Sequence, residues 1–520
     1  MKQRYSSTLT RPDAVPAAPL GLALPSPSRR RFAAGLSGTV AASVLSGCIA
    51  TNKATGRTSY TGSYSPADEV ALGKGEHPRL LQQFGGEYNN RRLDSYVQRV
   101  GRSLAGYTEY RDQFPYQFTI LNTPIVNAFA LPGGYVYISR GLLALASNEA
   151  EMAGVLAHEL GHVNARHSAE RISAQQAAQV STVIAAIGLQ LAGMSSDLAR
   201  AGQTIATMAI QGYSRRQEFE ADTLGVRYMS RAGYDPGGMV TFLSTLREQS
   251  VLEAQAKGLP AGSVDQYNMM STHPRTVDRV KEATAAANVS RQAQAKVLTD
   301  AYLGQIDGML FGDDPAEGIV QGQRFVHPGM RFEFTAPPGF RLFNSPQNVV
   351  AQSPDGATVV FDMAALGGAR DVGEYVQREW APQARLNEVE NININGFRAA
   401  TGVTRANLNN QSMDARLLAL AHDRGSVFRL LFLSPPALSG RLREPFQRMT
   451  YSFKRLSQAQ ADTVKPLRLR VRSAGNNDRV RQLAASLPYG PQNESWFRVL
   501  NDLRPGAEPQ RRQKLKVVSS

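Results

Sequence analysis

From Pro66 to about Gln305, apolar residues recur every three or four positions, which is the period of a helix with one buried face. Leu93, Val97, Val100 and Leu104 form one such stripe. Phe118–Leu121 reads as a strand, and Asn127–Arg140 as a turn at Pro132-Gly133-Gly134 that enters an alternating strand. Ser147-Asn148, followed by Glu149 and Glu151, is a helix start: a capping side chain, then carboxylates near the positive end of the helix dipole. The helix it opens is predicted to run through Ala157 and His162 to about Arg166. Ala174–Ala209, rich in Ala and Gln, predicts one or two more helices. Arg216–Ser230 predicts another, stopped near Gly233 and Pro236.

After Asp307 the pattern changes. Gly308, Gly312, Pro315, Gly318, Gly322 and Pro328 read as a linker. Between Met330 and Leu456, strand-like segments (Phe332–Ala336, Thr358–Asp362, Ser426–Leu433) alternate with the helical stretches Val372–Trp380 and Gly440–Met449. Ser457–Pro466 reads as a second linker, followed by a compact basic module. The expected organisation is α+β: a mostly helical domain with a small sheet over 65–307, a small α/β domain over 330–456 and the module at 466–518. No long-period repeat is present, which excludes a helical solenoid. At 520 residues the chain exceeds what a single core usually supports.

Formal charge refines this picture. Of the net +15, residues 1–47 carry +5 and residues 465–520 carry +8. A basic tail suits an acidic partner or simply a solvated face; nucleic acid is not expected. The single cysteine, Cys48, excludes an intrachain disulfide. It follows a basic run, Ser28-Arg29-Arg30-Arg31-Phe32, and a mildly apolar stretch, Ala33–Leu45. Leu45-Ser46-Gly47-Cys48 resembles a bacterial lipobox, in which the cysteine is acylated and becomes the first mature residue. Residues 1–48 are therefore expected to be a signal peptide and residues 49–64 a flexible tether. No segment reaches the roughly 18 apolar residues of a membrane span. The expected location is the periplasm, anchored to a membrane, the outer one by preference, through lipid on Cys48.

The chemistry concentrates at His158-Glu159-Leu160-Gly161-His162. Residues four apart share a helix face, so two imidazoles there reach one Zn²⁺ while Glu159 stands beside them to take a proton from water. Met152, Val155, Leu156 and Val163 would bury this helix, and burying two histidines and a glutamate without a metal is costly. A catalytic site needs a third protein ligand and an open position. Glu218-Phe219-Glu220-Ala221-Asp222 offers candidates, and spacing alone leaves Glu218, Glu220 and Asp222 open.

Together these residues resemble the zinc metallopeptidase family that includes the HtpX heat-shock protease and the CAAX prenyl-protein endopeptidase. The likeness spans about Ser65–Val280. It rests on Asn127–Tyr137, Glu149–His162, Ser214–Asp222, and Thr272-His273-Pro274 with Arg279. It implies a zincin-type fold, one Zn²⁺ held by His158, His162 and Glu218, and Glu159 as general base. Asp222 would then be a supporting acid, His273 a contact for the metal or the tetrahedral intermediate, and Arg279 a substrate-positioning residue. The strand after Pro132-Gly133-Gly134 is implied to be the edge that binds a peptide substrate by its backbone. Residues 466–518 resemble a degenerate LysM module, with Gly475-Asn476-Asn477-Asp478 in place of the usual turn, which makes peptidoglycan a candidate partner.

The resulting expectation is an envelope zinc endopeptidase that cleaves misfolded or unassembled proteins. One rival is a latent protease acting as chaperone or wall-tethered scaffold, with the Ala174–Ala209 region or His273 plugging the metal. Another is a zinc hydrolase of non-peptide substrates.

Overall fold

The computed structural model describes residues 49–61, 64–174, 212–256, 294–408 and 411–520, together with His273, Arg279, Glu282 and Ala285. The expected signal segment, Cys48 and most of the Ala174–Ala209 helices lie outside the described residues.

The chain begins with a short antiparallel hairpin, β1 (Ile49–Thr51) and β2 (Thr58–Tyr60). Two helices follow, α1 (Pro66–Gln83) and α2 (Arg91–Ala105). Leu93, Val97, Val100 and Leu104 all lie on the buried face of α2, as their spacing requires. Next comes a three-stranded sheet of β3 (Gln117–Leu121), β4 (Ala128–Leu131) and β5 (Tyr135–Ser139), then the short α3 (Arg140–Leu145) and α4 (Glu149–Asn164). The Asn148 side chain accepts from the Glu151 amide and starts α4 at the expected place. All of α4 is buried. Helices α5 (Arg215–Arg231) and α6 (Gly237–Ala256) pack against it.

In the sheet the order is β3-β5-β4, with β5 parallel to β3 and antiparallel to β4. This corrects the expectation for the strand after Gly133-Gly134: β5 is central, its backbone is paired on both sides, and it has no free edge for a peptide. The two glycines take positive φ in the β4–β5 turn. A Cβ on Gly133 would strike the backbone of Val70 in α1. Tyr137 is a core residue, stacked on Phe129 and hydrogen-bonded through its hydroxyl to His77 Nδ1 at 2.6 Å.

Two segments expected to be loose are folded. Thr51–Arg57 is the turn of the first hairpin. Asn52 is buried there and donates to the Asn164 carbonyl at the end of α4, 2.9 Å away. The Gly/Pro stretch after Asp307 contains strands Leu310–Phe311, Ile319–Gln321 and Arg324–His327. Gly308, Gly312, Gly318 and Gly322 supply positive φ at its turns, so their density reflects tight turns between short strands and not a linker.

Beyond these strands, seven antiparallel strands form one sheet: Arg341–Asn344, Val349–Gln352, Thr358–Ala365, Ser426–Ser434, Gln411–Ala421, Phe397–Leu408 and Asn387–Ile394, in that spatial order. The helix Pro436–Ser452 packs on the sheet. The last three strands carry many polar and charged residues, among them Glu388, Glu390, Arg405 and Asp414, without regular alternation, which hid them among loop-like sequence. The C-terminal segment has strand Leu467–Ser473, helices Val480–Leu483 and Asn493–Leu500, and strand Lys514–Ser519, the two strands antiparallel. Its Leu469, Val480, Phe497 and Leu515 share one apolar core with α2, α4 and α6. Lys516 is buried beneath α3 and donates to the carbonyls of Ala144, Leu145 and Ala146 at 2.8–3.0 Å, satisfying acceptors that the helix end leaves open. No helix of the described residues is long and apolar enough to cross a membrane.

Candidate metal centre

Helix α4 is buried on every side because its neighbours approach at glycine. Gly161 faces the backbone of Ala221 in α5, and Gly154 faces Met239 in α6. Ala221 lies between Glu218 and Asp222, so this contact brings both carboxylates to the face of α4 that carries His158 and His162.

His158, His162, Glu218 and His273 each offer a donor atom within 4.8 Å of the others, and all four are buried. His158 Nε2 lies 3.1 Å from His162 Nε2 and 3.7 Å from Glu218 Oε2, and His162 Nε2 lies 3.3 Å from Glu218 Oε1. Ligands about 2.0–2.1 Å from a tetrahedral Zn²⁺ stand roughly 3.3–3.4 Å apart.

The outward nitrogens decide which protonation states are present. His158 Nδ1 faces Asp222 Oδ1 at 2.8 Å. A carboxylate only accepts, so Nδ1 carries the hydrogen and Nε2 a bare lone pair. For His162 the same result comes through a relay. His167 Nε2 donates to Glu220 Oε2 at 3.0 Å, which leaves His167 Nδ1 to accept from His162 Nδ1 at 2.9 Å. Burial lowers the pKa of both His162 and His167, so both are neutral. Two bare lone pairs therefore converge in a buried space beside a carboxylate. Such a donor set fits a single Zn²⁺.

Glu218 keeps its charge. Burial alone would raise its pKa, but the charge of His273 and the hydrogen bond from His273 Nδ1 hold it well below the ordinary range. Arg279 also contacts it, and donates from Nε and Nη2 to both oxygens of Asp222 at 2.7 Å. Asp222 is thereby ionised despite full burial, chiefly through Arg279. Glu159 differs. Both its oxygens are buried without a hydrogen-bond partner among the described residues, and burial pushes its carboxyl above the ordinary value against the charge of His273. His273 Nε2, also without a hydrogen-bond partner among the described residues, stands 3.4 Å from Glu159 Oε1, while its Nδ1 is 3.0 Å from Glu218 Oε1 and 3.2 Å from His158 Nε2.

The structure thus brings together all seven residues singled out from the sequence: His158, Glu159, His162, Glu218, Asp222, His273 and Arg279. Among the three acids left open by spacing, Glu218 faces the imidazoles, Asp222 sits behind His158, and Glu220 points outward to His167. Sequence reasoning missed His167, Tyr213 and Arg57. Tyr213 stacks on the His162 ring at 3.8 Å between centroids. Arg57, in the first hairpin, pairs with Glu220 at 2.9 Å and Glu170 at 2.8 Å, and so anchors the relay. His167 alone left a signal: with seven histidines in the chain, a third one five residues past His162 is conspicuous.

Residues 91–287 match Peptidase family M48. Over 253 residues the chain is 28% identical to the beta-barrel assembly-enhancing protease of Escherichia coli, covering 48% of this chain and 50% of that protein. It is 32% identical to the protein of the same name from Yersinia pestis over 202 residues, covering 38% and 39%. It is also 32% identical to the mitochondrial metalloendopeptidase OMA1 of Schizosaccharomyces pombe over 203 residues, covering 38% and 55%. The chain spans about half the length of these curated relatives, or less.

Proposed function

We propose that the chain, whose residues 91–287 match Peptidase family M48, is a zinc-dependent endopeptidase of the bacterial cell envelope, acting on misfolded or unassembled proteins. The observation that carries the reading is the convergence of His158 Nε2, His162 Nε2 and the Glu218 carboxylate beside Glu159, whose oxygens take no hydrogen bond from the described residues.

His158, His162 and Glu218 would hold the ion, which when bound supplies Lewis-acid activation of water and of a peptide carbonyl. Asp222 and His167 lock the two imidazoles in the ligating tautomer. Glu159 takes a proton from the attacking water and returns it to the leaving amine. Arg279 holds Glu218 and Asp222 in register. The protein Glu159→Gln is expected to retain one zinc per chain and to lose casein cleavage by about 10²–10⁴-fold. Undiminished cleavage would refute the assignment.

The envelope placement draws on the lipobox-like Leu45–Cys48 and on the names of the bacterial relatives. Lipid attachment is tested by labelling with a fatty-acid analogue, which should fail in Cys48→Ala. Peptidoglycan remains the partner suggested by residues 466–518, and sedimentation with purified sacculi tests it.

One observation favours a second reading, in which the enzyme is latent. His273 Nδ1 lies within 3.2 Å of two of the metal donors, where a catalytic site needs an open position. If His273 plugs the site, His273→Ala should raise casein cleavage; if it stabilises the intermediate, cleavage should fall.

A further inference from the structure

A cavity of about 60 Å³ lies where α3 meets the C-terminal segment, and it shares no lining residue with the metal cluster. Leu145, Leu487 and Leu500 contribute apolar wall. Three lining residues each bring a buried nitrogen donor that has no acceptor among the described residues: Arg140 Nη2, Gln249 Nε2 and Trp496 Nε1. Arg140 and Gln249 are each 1% exposed. Buried donors without partners are rare, and three around one cavity mark a place where an acceptor belongs.

The donors are held in place. Arg140 donates from Nε to Asn122 Oδ1 at 2.8 Å and from Nη1 to the carbonyls of Leu310 and Gly312 at 2.9 and 3.1 Å. These partners are neutral oxygens; Asp313, Asp314 and Glu317 act on Arg140 only through space, and none of them takes a hydrogen bond from its Nη2. Trp496 is stacked on Tyr489 at 4.2 Å and 17°. The open valences are all donors, one of them cationic, and the remaining wall is largely apolar.

We propose that this cavity binds a small carboxylate with a short apolar body. The carboxylate, an acceptor-only anion, would take hydrogen bonds from Arg140, Gln249 and Trp496, and the body would lie against the leucines. The volume, room for roughly four to six waters, admits an acid of a few carbons or the last residue of a chain. Two sources share this chemistry: a free short-chain acid, or the C-terminal carboxylate of a peptide with a small apolar last residue.

The test is ligand-observed NMR on the full chain with isobutyrate, isobutyramide, N-acetyl-Ala-Val and its C-terminal amide. Both acids, or one, should bind saturably, with the matching amide weaker by about tenfold or more. Trp496→Phe keeps the stack on Tyr489 and removes the donor, and Gln249→Met removes the second. Each should weaken the acid by about tenfold while leaving the melting temperature near that of the parent. Tight binding of the dipeptide acid assigns the site to chain termini, and binding of isobutyrate alone assigns it to a free acid. Equal binding of acid and amide, indifference to both substitutions, or no saturable binding of either acid would overturn the proposal. Insensitivity to the two variants would also reveal acids that bind only at the metal.

Discussion

Gly161 of α4 and Ala221 of α5 meet backbone to backbone: a Cβ on Gly161 would lie 2.6 Å from the Ala221 carbonyl oxygen and 2.8 Å from its Cα. No side chain can move aside to relieve that contact. Gly161→Ala is therefore expected to push α5 away from α4, costing about 1–3 kcal/mol by overpacking. The gain in helix propensity, about 1 kcal/mol, works in the opposite direction and is too small to cancel it. At Gly225 the nearest atom is the flexible Met239 Cε, so Gly225→Ala should be milder. Thermal unfolding and zinc content of the two variants check this; equal behaviour would contradict the packing account.

Asp222 accepts from His158 Nδ1 and carries both Nε and Nη2 of Arg279. Asp222→Ala frees the imidazole to change tautomer and leaves Arg279 to Glu218 alone. Zinc affinity should fall about 10–100-fold, with cleavage at saturating zinc partly restored. Competition with a chromogenic chelator measures the affinity.

The relay behind His162 predicts an effect from residues that do not contact the metal. His167→Ala should weaken zinc by about 10–100-fold, since His162 loses the acceptor that sets its tautomer. Arg57→Ala acts one step further out, on Glu220, and should do less. An Arg57 effect as large as that of His167 would show that the hairpin matters for folding and not for tautomer control.

Removing the metal should cost stability as well as activity. The two bare Nε2 lone pairs, 3.1 Å apart, lose their shared cation on chelation. A chelator should abolish casein cleavage and lower the melting temperature, and both should return on adding Zn²⁺. Activity that survives full zinc removal would contradict the assignment of the centre.

Away from the centre, Glu317 supplies a pH signature. Burial pushes its carboxyl up to about 7, with Asp314 and Asp313 adding to the rise and Arg140 opposing it. Its folded pKa stands above its ordinary value of 4.5, so the folded state holds this proton more tightly. The stability it contributes is present in full below about 4.5 and is lost as pH rises through about 7. Glu317→Gln should flatten that part of the melting-temperature profile and raise stability at pH 8 relative to the parent. An unchanged slope between pH 5 and pH 8 would refute it.

What the sequence determined by itself is local. The four-residue spacing of His158 and His162 places both on one face of any helix, because hydrogen bonds within the helix fix the period. Asn148 announced where that helix begins, and the stripe on α2 announced its buried face. Strands without a regular alternation, such as Gln411–Ala421, escaped notice, since their partners lie in other strands. The turn glycines at Gly308–Gly322 were mistaken for a linker, because positive φ serves turns and loose chain alike. Only the tertiary structure decided which acid of the Glu218–Asp222 cluster faces the imidazoles, that His167 and Arg57 stand behind His162, and that β5 is central in its sheet. Each of these depends on contact between elements far apart in the chain. Such contact is set by side-chain volume at the crossing point, here the missing Cβ of Gly161 against Ala221, and not by any period along one segment.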